Sequence, residues 1–289
     1  MKRLRLLNQV AEELLTREET LSLGKGFDRV GDICIIKIPQ MIEKKKFELA
    51  QFLLQKLEPS IKVILGQTSP VQGEYRTRDL EWLAGEKRTS TVYKEHGCEF
   101  SVDLAKVYFS PRLSHERMRI VKLIKESQRP ENVINMFAGV GSFSIIIAVF
   151  CKSINVYSID INPEAVYFME KNININKVSD RVIPLLGDAK TIIHKDLKNT
   201  ADRVLMPLPE KAYEYLDTAV SALKPGIGFI HYYDVTYAKK GEKPADLIAW
   251  KVDKKMREIR TDYELISSRI IRTVGPNWHQ VVLDIKIVS

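Results

Sequence analysis

Three short stretches carry residue types that chemistry could use. Asn132-Val133-Ile134-Asn135-Met136-Phe137-Ala138-Gly139-Val140-Gly141 is an apolar run broken by two glycines. Asp160-Ile161-Asn162-Pro163 follows 19 residues after the second glycine, and Gly187-Asp188-Ala189 stands further on. A chain turning sharply from strand to helix needs positive φ and bare backbone for a ligand to approach, and glycine supplies both. A carboxylate at the end of the next strand, Asp160, can then accept hydrogen bonds from ribose hydroxyls. Asp188 can accept from an adenine amino group beside the Ala189 backbone. Gly139-Val140-Gly141 lacks the third glycine of the dinucleotide fingerprint, so a nucleoside smaller than a pyrophosphate-bearing dinucleotide is favoured. S-adenosylmethionine fits that gap, its methionine part lying along the glycine turn. A lone aspartate at a strand end is ordinarily a helix cap, but two in this order after Gly-x-Gly make a stronger signal.

For these residues to converge they must stand at the carboxyl ends of neighbouring strands in an open α/β sheet. The pattern supplies such strands at 132–135, 156–160, 182–186 and 203–206, the last stopped by Pro207-Leu208-Pro209. Helical spacing fills 143–150, 163–174 and 212–223, and Ser114 reads as the N-cap of a helix running to 126. Strands at 228–233, 263–272 and 279–288 complete the set, with Gly275-Pro276-Asn277-Trp278 as the last turn. Strands alternating with helices predict a doubly wound, mainly parallel sheet over 110–289, a Rossmann-like α/β domain.

The preceding third reads differently. Leu4, Leu7, Val10, Ala11, Leu14 and Leu15 have helical spacing in a short N-terminal segment, 1–25, closed by the loop Gly24-Lys25-Gly26. A strand over 31–39, a helix over 42–57, a strand at 63–65 and short strands at 89–93, 98–103 and 107–109 then predict a small α+β domain over 26–109. Within it, Gly73-Glu74-Tyr75-Arg76-Thr77-Arg78 has neither strand alternation nor helical spacing and reads as a loop with a task of its own.

At 289 residues and 45% hydrophobic, the chain can bury a large core and holds about two domains. Lys and Arg number 45 against 37 Asp and Glu, a charge of +8 that suits a polyanionic partner, although a modest basic excess also serves solubility. Cys34, Cys98 and Cys151 form no Cys-x-x-Cys pair, which argues against a disulfide framework or zinc site and for a reducing cytoplasm. Glu12, Glu13, Arg17, Glu18 and Glu19 interrupt any signal-peptide core, and no run reaches the roughly 18 apolar residues of a membrane span. A cytoplasmic monomer with no metal and no membrane partner is expected.

The sequence resembles the archaeal and eukaryotic tRNA (guanine-37-N1)-methyltransferases and their wyosine-pathway relatives. The likeness runs from about Gly31 to the C-terminus and rests on residues 73–85, Lys106-Val107-Tyr108-Phe109-Ser110-Pro111-Arg112-Leu113, Glu116-Arg117, Met136 to Gly141, Asp160 to Pro163 and His231-Tyr232-Tyr233. The resemblance implies a class I methyltransferase domain preceded by a small RNA-contacting domain, with S-adenosylmethionine as cofactor and the anticodon loop of tRNA, at position 37, as partner. With about 25 residues before the likeness begins, the further N-terminal domain of many members is expected to be absent or vestigial. Carried over position by position, the resemblance puts Arg117, Asp160, Ile161, Asp188 and Ala189 on the cofactor, with Asn135, Phe137, Gly139 and Gly141 in the turn around it. It makes Glu116 the proton acceptor and Arg76 the group that stabilises charge developing on the purine.

One position departs from that pattern. The guanine-N1 enzymes carry Asn-Leu-Pro at the end of the fourth strand, where this chain reads Met206-Pro207-Leu208-Pro209. Pro207 brings neither a side-chain hydrogen bond nor a backbone N–H, only its carbonyl. The tricyclic base 4-demethylwyosine has lost the guanine N1–H and free amino edge, so carbon-7 methylation of that base is the leading expectation. Methylation of guanine N1, both reactions, and a non-catalytic tRNA-binding protein are the alternatives. Lys2-Arg3-Arg5, Lys44-Lys45-Lys46, Lys239-Lys240, Lys251 with Lys254-Lys255, and Arg269 with Arg272 are candidate phosphate contacts. Tyr75, Trp278 or His279 could stack on an extruded base.

Overall fold

The computed structural model describes residues 13–23 and 27–288. The helix expected over 4–15 falls mostly, and the loop Gly24-Lys25-Gly26 wholly, outside the described residues. The chain divides into two compact units, Met1–Pro111 and Arg112–Ser289.

In the first unit a capping box opens helix α1 (Arg17–Ser22): the Thr16 hydroxyl accepts from the Glu19 N–H, and the Glu19 carboxylate accepts from the Thr16 N–H at 2.8 Å. Strands β1 (Asp28–Val30), β2 (Ile33–Lys37), β3 (Val63–Gln67) and β4 (Leu80–Gly85) form one sheet in that order. β2 and β3 run parallel, joined through the helix α2 (Lys46–Leu57), whose Leu49 and Leu53 pack on Cys34, Ile36 and Ile64. A two-residue turn, His96-Gly97, joins β5 (Ser90–Glu95) to β6 (Cys98–Asp103), both turn residues having the positive φ of the primed hairpin turns. Three expectations need correction. The strand read over 31–39 begins with a turn at Gly31-Asp32 that folds it back on β1. Strand β4 was not foreseen, because Leu80-Glu81-Trp82-Leu83-Ala84-Gly85 does not alternate. Residues 107–109 are irregular, the Val107 N–H closing a turn on the Asp103 carbonyl.

The second unit, in its described residues, is a seven-stranded sheet. Its strands are β7 (Glu131–Asn135), β8 (Ile154–Asp160), β9 (Val182–Leu186), β10 (Arg203–Met206), β11 (Ile227–Tyr237), β12 (Tyr263–Gly275) and β13 (Trp278–Val288). Their spatial order is β12-β13-β11-β10-β7-β8-β9, all parallel except β13. Helices α3 (Ser114–Ser127), α4 (Ser142–Phe150) and α5 (Pro163–Ile175) belong to one face. The other face carries α6 (Ala189–Ile192), α7 (Pro209–Ala212), α8 (Leu216–Ala222) and α9 (Pro244–Glu258). Because side chains alternate along a strand, Ile134, Met136, Val204, Met206, Ile230, Tyr232, Leu283 and Ile285 all point to this second face, where Ala212, Leu216, Ile248, Val252 and Met256 cover them. That face is an apolar core. Two details differ from expectation: Ser114 is the first helical residue, with Leu113 at the cap position and no side-chain cap, and the helix read over 212–223 is broken into α7 and α8.

Gly85 and Gly97 both have left-handed backbone, but their surroundings differ. A Cβ on Gly85 would lie 2.0 Å from the Lys62 carbonyl oxygen, whereas one on Gly97 would meet nothing within 4 Å. Gly97→Ala is therefore expected to lose only the left-handed penalty, about 1 kcal/mol. Gly85→Ala must also move a backbone and is expected to lose on the order of 3 kcal/mol. Urea unfolding of the two variants checks this, and equal midpoints would contradict it.

Candidate active site

The chain runs outward from β7 through β8 to β9, then returns to lay β10 on the other side of β7. The carboxyl ends of β7 and β10 diverge at this reversal, and such a switch point is where an open α/β sheet binds its ligand. The turn after β7 is tied down by Asp160. Its Oδ2 accepts from the Gly139 N–H at 2.6 Å and its Oδ1 from the Asn162 N–H at 3.0 Å. Burial pushes the Asp160 carboxyl up, against the pull of backbone donors at Asn162, Gly139 and Ile161. Gly141 has φ +84°, and a Cβ there would meet Met169 Cγ at 2.9 Å, so this turn admits no larger residue without movement.

Beneath the turn Asn135 is fully buried; its amide donates to Ser144 Oγ at 3.1 Å, and its Oδ1 has no hydrogen-bond partner among the described residues. An orphaned buried acceptor beside a glycine turn suits a ligand that brings donors. At the end of β9, Asp188 caps α6: Oδ1 accepts from the Thr191 N–H at 3.0 Å, and Oδ2 from the Tyr215 hydroxyl at 2.5 Å. Burial raises the Asp188 carboxyl, but the Tyr215 and Thr191 donors together hold it below the usual range. Tyr215 in turn stands edge-on to Phe137, 5.3 Å between centroids, which links the ends of β7 and β9. Ala189 is buried, while Ile161 and its neighbour across the strand ends, Leu186, keep exposed apolar surface. Two carboxylates, an orphaned amide oxygen and exposed apolar side chains at adjacent strand ends fit a nucleoside cofactor.

On the α3 face the sheet is polar rather than apolar. Leu205, His231, Asp284 and Ser267 lie side by side across β10, β11, β13 and β12, and the next row towards the carboxyl ends is Tyr233, Val282 and Arg269. Helix α3 lays Glu116 and Arg119, one turn apart, over these two rows. Glu116 Oε1 accepts from the Tyr233 hydroxyl and from Arg119 Nη2, both at 2.7 Å, and Oε2 accepts from Arg269. The rest of the Arg119 fork holds Asp284, with Nη1 2.5 Å from Oδ2 and Nη2 3.0 Å from Oδ1. Asp284 also accepts from Ser267 Oγ and from His231 Nδ1, each at 2.5 Å. His231 Nε2 faces Arg203 Nη1 at 2.7 Å, and Arg203 closes on Glu131 at 2.7 and 3.0 Å. Because a guanidinium cannot accept, Nε2 is the acceptor and Nδ1–H donates to Asp284. Burial above all keeps His231 neutral, and Asp284 is held far below the usual carboxylate range because the donors from His231 and Arg119 outweigh its own burial.

The remaining expected site residues fall as follows. Arg117 is buried with its guanidinium 5.6 Å from the Phe143 ring centroid. Pro207 follows the fully buried Met206 at the end of β10, and the next carbonyl, of Leu208, is taken by the N–H groups of Lys211 and Ala212. Arg76 belongs to the first unit, where it has φ +53° and its guanidinium lies 4.8 Å from the Tyr108 ring centroid. Of the candidate phosphate contacts, Lys2, Arg3 and Arg5 lie outside the described residues. Lys46 pairs with Glu43 and Glu81, Lys251 with Asp234, and Arg269 with Glu116. Trp278 is exposed and packs edge-on to Tyr237. The sequence reading missed Arg119, Arg203, Glu131 and Asp284. For Asp284, set among apolar residues inside β13, a signal was there: a charge buried in a strand has to be paired. Among the described residues, no group of three or more His, Cys, Asp or Glu is arranged to hold a metal ion, and no helix is long and apolar enough to cross a membrane.

A family model for the TRM5/TYW2 methyltransferase domain matches residues 91–260, and one for the TYW2 N-terminal domain matches residues 7–89. The second match begins well before Gly31, where the likeness was expected to start. The chain is 38% identical to the tRNA (guanine(37)-N(1))-methyltransferase Trm5b of Pyrococcus abyssi, over 92% of this chain and 76% of that one. It is 39% identical to the tRNA 4-demethylwyosine(37)-methyltransferase Taw21 of Saccharolobus solfataricus, over 93% of this chain and 96% of that one. The crystal structure of P. horikoshii TYW2 in complex with MeSAdo superposes with a TM-score of 0.77 at 28% identity, covering 98% of both chains.

The neutral His231 makes stability depend on acid. An unfolded histidine takes up a proton below its ordinary value of 6.5, which the folded one, with its value lowered, does not. Stability is therefore complete above pH 6.5 and falls as pH drops, by about 1.4 kcal/mol per pH unit until the folded group titrates. His231→Asn should lower stability at pH 7 yet flatten its pH dependence just below 6.5. Denaturant melts across that window check it; an unchanged slope would mean the folded histidine is protonated.

Proposed function

Because the chain belongs to the TRM5/TYW2 methyltransferase family, an enzyme family that uses S-adenosylmethionine, we propose that it methylates the modified purine at position 37 of tRNA, at carbon 7 of 4-demethylwyosine. The observation that carries the choice of acceptor is Pro207. At the mouth of β10, where the family's guanine-N1 pattern has an Asn side chain, this chain offers a carbonyl and a ring. A guanine presented there would find no side-chain amide for its N1–H and amino edge, whereas a tricyclic base can be held by stacking and by its shape.

S-adenosylmethionine, when bound, supplies an electrophilic methyl group on a sulfonium. Asp160 would take the ribose hydroxyls with the lone pairs left free by Gly139 and Asn162. Asp188 and Ala189 would border the adenine, with Ile161 against its face and Asn135 and Arg117 near the methionine part. Methyl transfer from the bound cofactor to carbon 7 would require that carbon to lose its proton. Glu116 is the carboxylate assigned to receive it, and Arg76 the cation for charge that builds on the ring. Glu116 already accepts from Tyr233, Arg119 and Arg269, so the incoming proton competes with these donors for its lone pairs.

Two outcomes check this reading. S-adenosylmethionine at about a hundred times its Kd should stabilise the protein by about 2.7 kcal/mol, a rise in Tm that Asp160→Ala should largely abolish. An unchanged shift in the variant would remove Asp160 from the cofactor site. For the acceptor, cofactor labelled in its methyl group is offered with two tRNAs, one with unmodified G37 and one carrying 4-demethylwyosine, and the products are digested to nucleosides. Label is expected on the tricyclic base. Label on G37 alone would make the enzyme a guanine-N1 methyltransferase, label on both would make it bifunctional, and label on neither would leave tRNA binding without transfer. A second cofactor, labelled in its aminocarboxypropyl group, should leave no label on either tRNA.

A further inference from the structure

We propose that Asp284, with Ser267 behind it, is a positioning residue for the reaction: acting through Arg119, it sets where the Glu116 carboxylate stands. This rests on Glu116 as the proton acceptor, and the experiment separates the two claims. A glutamate in the first turn of a helix has three rotatable bonds, and nothing in α3 itself fixes them beyond Arg119. Arg119 spans two carboxylates at once, presenting Nε and Nη2 to Glu116 and Nη1 and Nη2 to Asp284. A planar fork held at both edges has one orientation; released at one edge it can rotate about its stem.

Asp284 has little freedom of its own. Ser267 and His231 donate to it from the strands on either side, and His231 is backed by Arg203 and Glu131. The groups facing Glu116 are thus Arg119 from its own helix, Tyr233 from β11, Arg269 from β12 and, beyond Arg119, Asp284 from β13. Three carboxylates balance three guanidiniums across the whole chain of contacts, around a neutral imidazole. Asp284→Asn keeps the shape but removes one negative charge and one acceptor, so Arg119 shifts towards Glu116 and takes its oxygens out of line with the acceptor atom. Asp284 touches neither cofactor nor base in this scheme, and its whole effect passes through one carboxylate.

The test is a double-mutant cycle on single-turnover transfer, using the tRNA that the parent enzyme methylates. Asp284→Asn should slow transfer on the order of a hundredfold and Ser267→Ala about fivefold. KM for tRNA and cofactor-induced Tm shift should stay near the parent's. In a Glu116→Gln background neither substitution should slow transfer more than about twofold. The same fold-loss in both backgrounds, or a raised KM with transfer unchanged, would overturn the proposal. If Asp284→Asn loses its cooperative melt, Ser267→Ala, which removes only a hydroxyl from the outer strand, decides the matter by the same criterion. Glu116→Gln at the parental rate would remove the proton-acceptor reading itself, whereas a slow Glu116→Gln beside parental Asp284→Asn and Ser267→Ala would overturn the positioning role alone.

Discussion

A single guanidinium, that of Arg119, joins two carboxylates that the chain separates by more than half its length, and the polar face of the sheet is arranged around it. Burying charge is expensive unless each group finds an opposite partner and its hydrogen-bonding directions are filled. Here the requirement reaches across five strands and a helix. Removing one partner from such a set typically costs about 3–5 kcal/mol, because what remains is an uncompensated buried charge. A slip of β13 by one residue would turn Asp284 to the apolar face, so the pairing selects the register as well as filling it.

The two faces of the sheet solve the same burial problem differently. Against α8 and α9 the strands present Ile, Val, Leu and Met, a contact that tolerates exchange of one apolar shape for another. Against α3 they present His231, Asp284, Arg203 and Tyr233, whose contacts are directional and admit few substitutes. Shape tolerance on one face and directional contact on the other leave the Glu116 carboxylate held in one place by Tyr233, Arg119 and Arg269. The glycine turn and its clasp by Asp160 form a second fixed point, built from backbone N–H groups.

The central β7-α4-β8-α5-β9 unit was legible because its information is local: apolar runs, two glycines, an Asn162-Pro163 helix start and aspartates at strand ends all lie within a few residues of what they determine. Helix α9 was missed, although Ile248, Val252 and Met256 repeat at helical spacing and could have announced it. The Arg119–Asp284 pair spans 165 residues and the Arg269–Glu116 pair 153, and no local pattern specifies either. Arg269 shows the cost of that blindness. In sequence it is one of many cations suited to phosphate; in the fold it is committed to Glu116. Arg76 was legible only as part of a motif, since the loop that carries it has no periodic signal.

The strand order has a consequence for how the protein is made. β12 leaves the ribosome before β13, yet in the sheet it pairs with β13 alone, and β13 separates it from β11. Until β13 arrives, the sheet can join at most the five strands β11-β10-β7-β8-β9, with β11 as the open edge, and Arg119 on α3 has no Asp284 to pair with. β12 and β13 must then dock together, or β13 first, closing the edge and completing the charge pairing in one event. An immature chain stalled before β13 thus has every residue of the Gly139–Gly141 turn and its Asp160 clasp, while Arg119 still lacks one of its two carboxylates.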